Sequence, residues 1–351
     1  VIRALGAALA IAVTTASHAA EITLFVGFPP GQGADVESGP DATTEAGRRL
    51  TTEPSYEDAG HFYAEHLGRF LPDAQKIVMK SAPGASSLLA ARRLLADTSS
   101  TAATLALLGP RVTLEPLVTP ANAPWRPDGV AWIGAMRRDD DLCVARTDAP
   151  AREIGDLRTK EMFAAALAPG SRAFVYARAL NELAGAKLKI ISGYGSEFEI
   201  LRAMETDEVN MWCGWSMTAL RNRHPDLLRD GKVRALVQFT MTPAGQGLSI
   251  PRASDFPETD VAREAMRVVE SQTRFGAFAL AAPPSTSPAR VAELRAAFLA
   301  MSRDTETVQA AAARGLDIDP VSGEELQQLA TSLNAVSPAA RDRLRTVLRE
   351  R

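Results

Sequence analysis

The chain has 351 residues, enough for about two domains, and with 46% hydrophobic residues it can bury substantial cores. Its 39 basic and 42 acidic residues leave a net charge of -3, which provides no electrostatic footprint for a nucleic acid. Two cysteines and four histidines are too few for clustered zinc sites, iron-sulfur clusters or a disulfide-dense scaffold, so neither a metal nor a cofactor is expected.

Residues 1–19 read as an export signal: Arg3 supplies the positive start, Ala4 to Val13 the apolar stretch, and Ser17-His18-Ala19 a small-x-small cleavage site. The mature chain would begin at Ala20 and be soluble and periplasmic. The apolar stretch is too short to span a bilayer of about 30 Å, and no later one reaches about 18 uncharged apolar residues. An oxidising compartment favours a bridge between Cys143 and Cys213 over two unlinked buried thiols.

Beyond the signal, short apolar runs alternate with helical stretches, the pattern of α/β domains with strands covered on both faces. The expected strands are Ile22 to Phe28, Ile77 to Met79, Thr104 to Leu108, Val130 to Ile133, Leu142 to Ala145, Met162 to Leu167, Lys189 to Ser192, Val209 to Cys213, Ala235 to Phe239 and Ala277 to Ala281. Residues Val36 to Asp58 are polar and lack a clean period, which suggests a long loop or irregular insertion. Phe62, His66, Leu67 and Phe70 share one helical face after Gly60. Ser196-Glu197-Phe198-Glu199 and Ser322-Gly323-Glu324-Glu325 read as capping boxes, and Ser287-Pro288 starts a helix with proline in its first position. From there to the end the chain reads as purely helical.

Two catalytic motifs are incomplete. Gly31-x-Gly33 follows the first strand, but Val36 holds the third glycine position of a dinucleotide loop. Gly214-Trp215-Ser216-Met217-Thr218 begins like a nucleophile elbow and ends without its glycine. His61, His66 and His224, the histidines of the mature chain, are placed by no motif as a base or metal ligand.

What stands out instead is a set of four Gly/Pro/Ser loops, each after a strand and before a helix: Phe28-Pro29-Pro30-Gly31-Gln32-Gly33-Ala34-Asp35, Ser81 to Ser87 around Pro83-Gly84-Ala85-Ser86, Ala168 to Arg172 around Gly170-Ser171, and Gly193-Tyr194-Gly195-Ser196. Ligands of open α/β sheets bind outside the carboxyl ends of the strands, where amides at helix N-termini hold anionic oxygens. Arg172 is the strong cation of the set and suits a ligand carboxylate, or else is a solvated surface arginine. Asp35 orients a ligand or caps a turn, while Tyr194 and Trp215 either wall a cleft or fill a core.

The stretch Ile22 to Asp35, Pro83-Gly84-Ala85-Ser86, Lys189 to Gly195, Glu208 to Ser216, Ala281-Ala282-Pro283-Pro284 and Asp319 to Glu325, in that order, resembles the extracytoplasmic solute receptors of the tripartite tricarboxylate transporter family, the Bug-type receptors. The resemblance covers practically all of the chain from Ala20 except the insertion. It implies a type II periplasmic-binding-protein fold, with two α/β domains, 20–138 plus 239–351 and 139–238, crossing near Met136 to Leu142 and Val237 to Thr240. It further implies a non-enzymatic, monomeric receptor that passes a di- or tricarboxylate, or a related aromatic or amino acid, to membrane subunits of the transporter. Carried over by position, the ligand contacts fall on Phe28 to Asp35, Pro83 to Ser86, Gly170 to Arg172, Tyr194, Gly195 and Ser216, with Trp215 beside them. The chain departs from the pattern at the 36–58 insertion and at Arg172-Ala173-Phe174, where many relatives carry small polar residues. The rival readings are a ligand sensor for a signalling partner and a secreted serine hydrolase using Ser216.

Overall fold

A computed structural model describes residues 21–28, 54–72, 75–138, 140–167, 169–242 and 249–348. The export segment, Pro29 to Asp35 and the insertion up to residue 53 lie outside the described residues. In chain order come four strands, β1 (Ile22–Val26), β2 (Ile77–Ser81), β3 (Thr104–Leu108) and β4 (Ala131–Ala135), then five, β5 (Asp141–Arg146), β6 (Met162–Ala166), β7 (Leu188–Ser192), β8 (Met211–Ser216) and β9 (Val233–Phe239), and last β10 (Ala279–Ala282) and β11 (Val321–Ser322).

They form two sheets, one in the order β11-β4-β10-β3-β1-β2 and one in the order β7-β6-β8-β5-β9. Both follow one plan. In each, one strand lies between the two parallel strands that follow it, β1 between β2 and β3 and β6 between β7 and β8, and an antiparallel strand sits beside the last of the three: β10 between β3 and β4, β5 between β8 and β9. That antiparallel strand is in each case the one made as the chain arrives from the other sheet. Pairings of β1 with β2 and β3, and of β6 with β7 and β8, are parallel. The strands nearest the centre, such as Leu105 to Leu108 and Ala164 to Ala166, are buried throughout, which is why they read as continuous apolar runs.

The helices are α1 (Tyr56–His66), α2 (Leu88–Ala96), α3 (Arg111–Val118), α4 (Arg172–Ala184), α5 (Glu197–Glu205), α6 (Met217–Arg223), α7 (Pro225–Arg229), α8 (Asp260–Phe275), α9 (Pro288–Arg303), α10 (Thr305–Ala313), α11 (Gly323–Leu333) and α12 (Pro338–Leu348). Helix α1 starts earlier than the hydrophobic face suggests, because Ser55 and Asp58 cap it reciprocally through Ser55 Oγ and the Asp58 carboxylate. Gly60 then lies inside the helix, where a Cβ would stand 2.6 Å from Val26 and 2.8 Å from Met79, so its absence lets α1 sit directly on the sheet. Ser196, Ser287 and Ser322 cap α5, α9 and α11, with Pro288 in the first turn of α9. The reciprocal half of the two expected boxes goes elsewhere: Glu199 accepts from the Gly195 amide and Glu325 pairs with Arg138.

One feature departs from the sequence reading: the C-terminal region contains β11, whose two residues pair with β4 and are too few to show an alternating pattern. Val237 to Phe239 close β9, and the chain then passes through α8 before reaching β10. Helix α8 packs on α4 and α12, and one buried core joins Trp132 and Leu344 with Tyr176 and Leu180 across the two sheets. Arg178 on α4 donates to the Thr346 carbonyl on α12 at 2.8 Å. Cys143 and Cys213 are bonded, as a register pair between β5 and β8. No helix among the described residues is long and apolar enough to cross a membrane.

Candidate functional site

Residues 136–140 join the end of β4 to the start of β5. Five residues span at most about 18 Å, so the carboxyl end of β4 stays close to Asp141. Asp141 is in register with Ser216 at the end of β8 and Phe239 at the end of β9. The carboxyl ends of the parallel strands of both sheets therefore converge on this crossing.

On the side of sheet one, Phe28 leaves β1 half-buried and stacks on Tyr56, with ring centroids 4.0 Å apart and planes at 22°. Tyr56 stands edge-on to Phe278 at 5.1 Å, and the Arg137 guanidinium lies 5.7 Å from the centre of the Phe278 ring. Gly27 permits a close approach of β1 to the next loop, since a Cβ there would meet the Ser87 Cβ at 2.3 Å. Ser87 Oγ in turn accepts the Gly109 amide at 2.8 Å, so the loops after β1, β2 and β3 are tied together.

The loop after β2 is strained. Gly84, Ala85, Ser86 and Ser87 have φ of 141°, 48°, 50° and 70°. Three of these are side-chain-bearing residues in the left-handed region, where each costs roughly 1–2 kcal/mol. The turn is closed by the Leu88 and Leu89 amides on the carbonyls of Ala85 and Gly84. It leaves Pro83, Gly84 and Ala85 exposed and Ser86 half-buried, directly before α2.

On the side of sheet two, Gly170 is exposed and Ser171 caps α4 through Oγ. Arg172, the first residue of that helix, does not present an unengaged cation. Its Nη1 donates to both oxygens of Asp141, at 2.9 and 3.0 Å, and Asp141 is fully buried. The Tyr176 hydroxyl donates to the same carboxylate at 2.7 Å and its ring stacks on Phe239 at 3.9 Å. The remaining expected residues of this half are engaged locally. Tyr194 donates to Glu208 at 2.7 Å, and burial followed by that carboxylate pushes its pKa up to about 12. Gly195 donates to Glu199. Trp215 is 1% exposed and packs between Trp212 and His224, while Ser216 Oγ accepts the Ala219 amide and caps α6.

A second polar group flanks the crossing. Asp140 accepts from Thr240 and Thr242 and lies 3.5 Å from Arg274, whose burial lowers its pKa. Arg138 makes a two-pronged pair with Glu325 at 2.7 Å, which raises the pKa of the arginine and lowers that of the glutamate. Sequence reasoning passed over Asp140, Asp141, Tyr176, Thr240 and Arg274. The run Arg137-Arg138-Asp139-Asp140-Asp141 was the available signal, because adjacent blocks of opposite charge at a domain crossing can pair inward. Among the described residues no group of His, Cys, Asp and Glu is arranged to hold a metal ion.

Among solved structures the chain is similar to a TctC solute-binding protein from Polaromonas, with a TM-score of 0.63 and 16% identity over 90% of this chain and 95% of that one. The fold is that of the two-domain periplasmic solute-binding proteins. MatC from Rhodopseudomonas palustris with bound malate shares it, with a TM-score of 0.54 and 17% identity over 94% of this chain and 99% of that one. So does the periplasmic binding protein BugD, with a TM-score of 0.52 and 14% identity over 92% of this chain and 95% of that one. No family model matches the chain, and no curated protein matches it. In the periplasmic-binding-protein fold the convergence of strand ends at the crossing described above lies between the two sheets.

Proposed function

We propose that the chain is an extracytoplasmic solute receptor of the Bug type. Its two halves, 20–138 with 239–351 and 139–238, close on a small organic anion, of the class that includes the di- and tricarboxylates. It delivers the ligand to membrane subunits of a tripartite tricarboxylate-type transporter, and acts as a monomer without catalysis or cofactor. The export segment at residues 1–19 supports the periplasmic location.

The observation that carries this reading is the left-handed turn at Gly84–Ser87. Backbone strain of this kind persists where the surrounding structure enforces it, and clusters at ligand clamps. Here it is enforced by Gly27 and by the Gly109-to-Ser87 bond, and it stands at the carboxyl end of β2, before a helix N-terminus suited to anionic oxygens. Phe28, the Gly84 turn, and the start of α4 at Gly170 and Ser171 are the surfaces a ligand would bridge. A ligand stabilises the closed state only as far as it binds that state better than the open one.

Thermal-shift and calorimetric titration against a panel of small carboxylates tests the reading. Saturable binding with a rise in Tm is expected for at least one of them. A folded protein stabilised by none would remove the anion-receptor function.

A further inference from the structure

We propose that the C-terminal helix α12 is a strap laid across the two halves, and that the bond from Arg345 to α3 is the catch that holds them in the arrangement of this structure. The proposal rests on the receptor reading only in that the halves move. In α12, Ala340, Leu344 and Val347 form a buried stripe. They share a core with Leu117 and Val118 of α3, which follows β3 of sheet one, and with Leu180 and Leu183 of α4, which follows β6 of sheet two. Residues two apart on a helix point about 200° apart, so Arg343 and Arg345 leave α12 on opposite flanks of that stripe. Arg345 Nε donates to the Val118 carbonyl at 2.9 Å, and Val118 is the last residue of α3. Arg343 donates to the Glu182 carbonyl in the last turn of α4, and Arg178 of α4 returns a bond to the Thr346 carbonyl in the last turn of α12 at 2.8 Å. All three acceptors are carbonyls at helix C-termini, which have no partner within their own helix and carry the negative end of its dipole, so a guanidinium suits each.

The ties differ in kind. Helices α12 and α4 are bonded in both directions, and at its start α12 is joined to α8 by Ser337, whose amide and hydroxyl donate to Glu264 at 2.8 and 2.6 Å. Helix α8 packs on α4 as well, so α4, α8 and α12 form one layer. The polar tie to α3 runs through Arg345, whose side chain is 39% exposed and also pairs with Asp342 on its own helix. When the halves rotate, the layer keeps its bonds and Arg345 gives way, passing to Asp342 and water. Such a catch acts on the population of arrangements and not on any contact with a ligand.

The test measures the distance between the halves without any ligand, by pulsed dipolar electron resonance on the full chain. Spin labels go on Lys76→Cys, directly before β2, and Lys189→Cys, in β7, because both are exposed and stand at the sheet edges farthest from β4 and β9, where a rotation displaces them most. Cys143 and Cys213 are bonded and buried, so the labels report the introduced positions. Arg345→Ala, with its fold checked by circular dichroism, should broaden the distance distribution at least about twofold, as loss of one charge-assisted bond moves the balance of arrangements by about fivefold. Arg345→Gln, which keeps most of the stem, should broaden it in the same sense, and Arg345→Lys should restore the wild-type width. Arg341→Ala should leave the width unchanged, since Arg341 donates to the Asn334 carbonyl just before α12. A folded Arg345→Ala or Arg345→Gln protein with the wild-type width overturns the proposal. So does an equal broadening by Arg341→Ala, and so does loss of the fold in both Arg345 variants, because a catch between movable halves is not what folds either half. No ligand enters the measurement, so a protein that binds a carboxylate but has a width indifferent to Arg345 loses the strap and keeps the receptor reading.

Discussion

Glu270→Gln should alter how stability depends on pH. Glu270 lies on the inner side of α8 with no solvent exposure, and its Oε1 accepts the Ser254 amide at 2.8 Å. Its Oε2 has no hydrogen-bond partner among the described residues. Burial raises its pKa from 4.5 to about 7, against the lowering effect of the Ser254 bonds and Arg252, with Asp255 adding to the rise. Below about 4.5 the carboxyl is protonated in folded and unfolded chains alike. Between that pH and about 7 the unfolded chain releases a proton that the folded chain keeps, so this group lowers stability as pH rises, and its penalty is complete above about 7. A rise from 4.5 to about 7 corresponds to on the order of 3 kcal/mol, at ~1.4 kcal/mol for each tenfold change in proton affinity. Glutamine is isosteric and does not titrate. The variant should match wild type within ~1 kcal/mol at pH 4.5 and exceed it by about 3 kcal/mol at pH 8, a gap in Tm of about 5 °C or more. Thermal unfolding of both proteins across pH 4.5 to 8 checks this. Parallel curves over that range would refute the reasoning, since they would mean that Glu270 is as easily ionised in the folded protein as in the unfolded one.

Reduction of the Cys143–Cys213 bridge, or its replacement by serines, should lower stability by roughly 4 kcal/mol in the chain-entropy treatment of a loop of 70 residues, read as a Tm shift with and without reductant. Intact mass after alkylation without reductant should show no added group. Gly27→Ala places a methyl 2.3 Å from the Ser87 Cβ and 2.8 Å from its Cα, so β1 and the start of α2 must move apart. The expected loss is about 1–3 kcal/mol, with weaker ligand binding. Unchanged affinity in that variant would separate the Ser87 turn from the site.

The fold was legible because its strands are short, apolar and regularly spaced. Thr104–Leu108 is marked at both ends by its neighbours, and serine caps announce α5, α9 and α11. What escaped was set by contacts between distant segments. Ser55 began α1 inside a stretch that reads as irregular, and Val321–Ser322 became a strand only because the edge of β4 was open to it. In the site, the glycine-rich turn at Gly84 was readable as a turn, but its left-handed run depends on Ser87 being held by Gly109, twenty-two positions away. Arg172 was readable as a cation. That Asp141 would hold it depends on β5 crossing between β8 and β9, and no local pattern around either residue encodes that pairing.

The position of β10 has a consequence for how the chain assembles. Sheet two is built wholly from residues 141–239, so it can close as soon as that stretch is available. Sheet one cannot, because β4 and β11 reach β3 only through β10, at Ala279–Ala282. A chain emerging from its N-terminus would complete the inner half first and hold β4 unjoined to the β2-β1-β3 group until residue 282 arrives. The half that is synthesised first is thus the half that finishes last, and its exposed strand edges are what a folding assistant would need to protect in the interval.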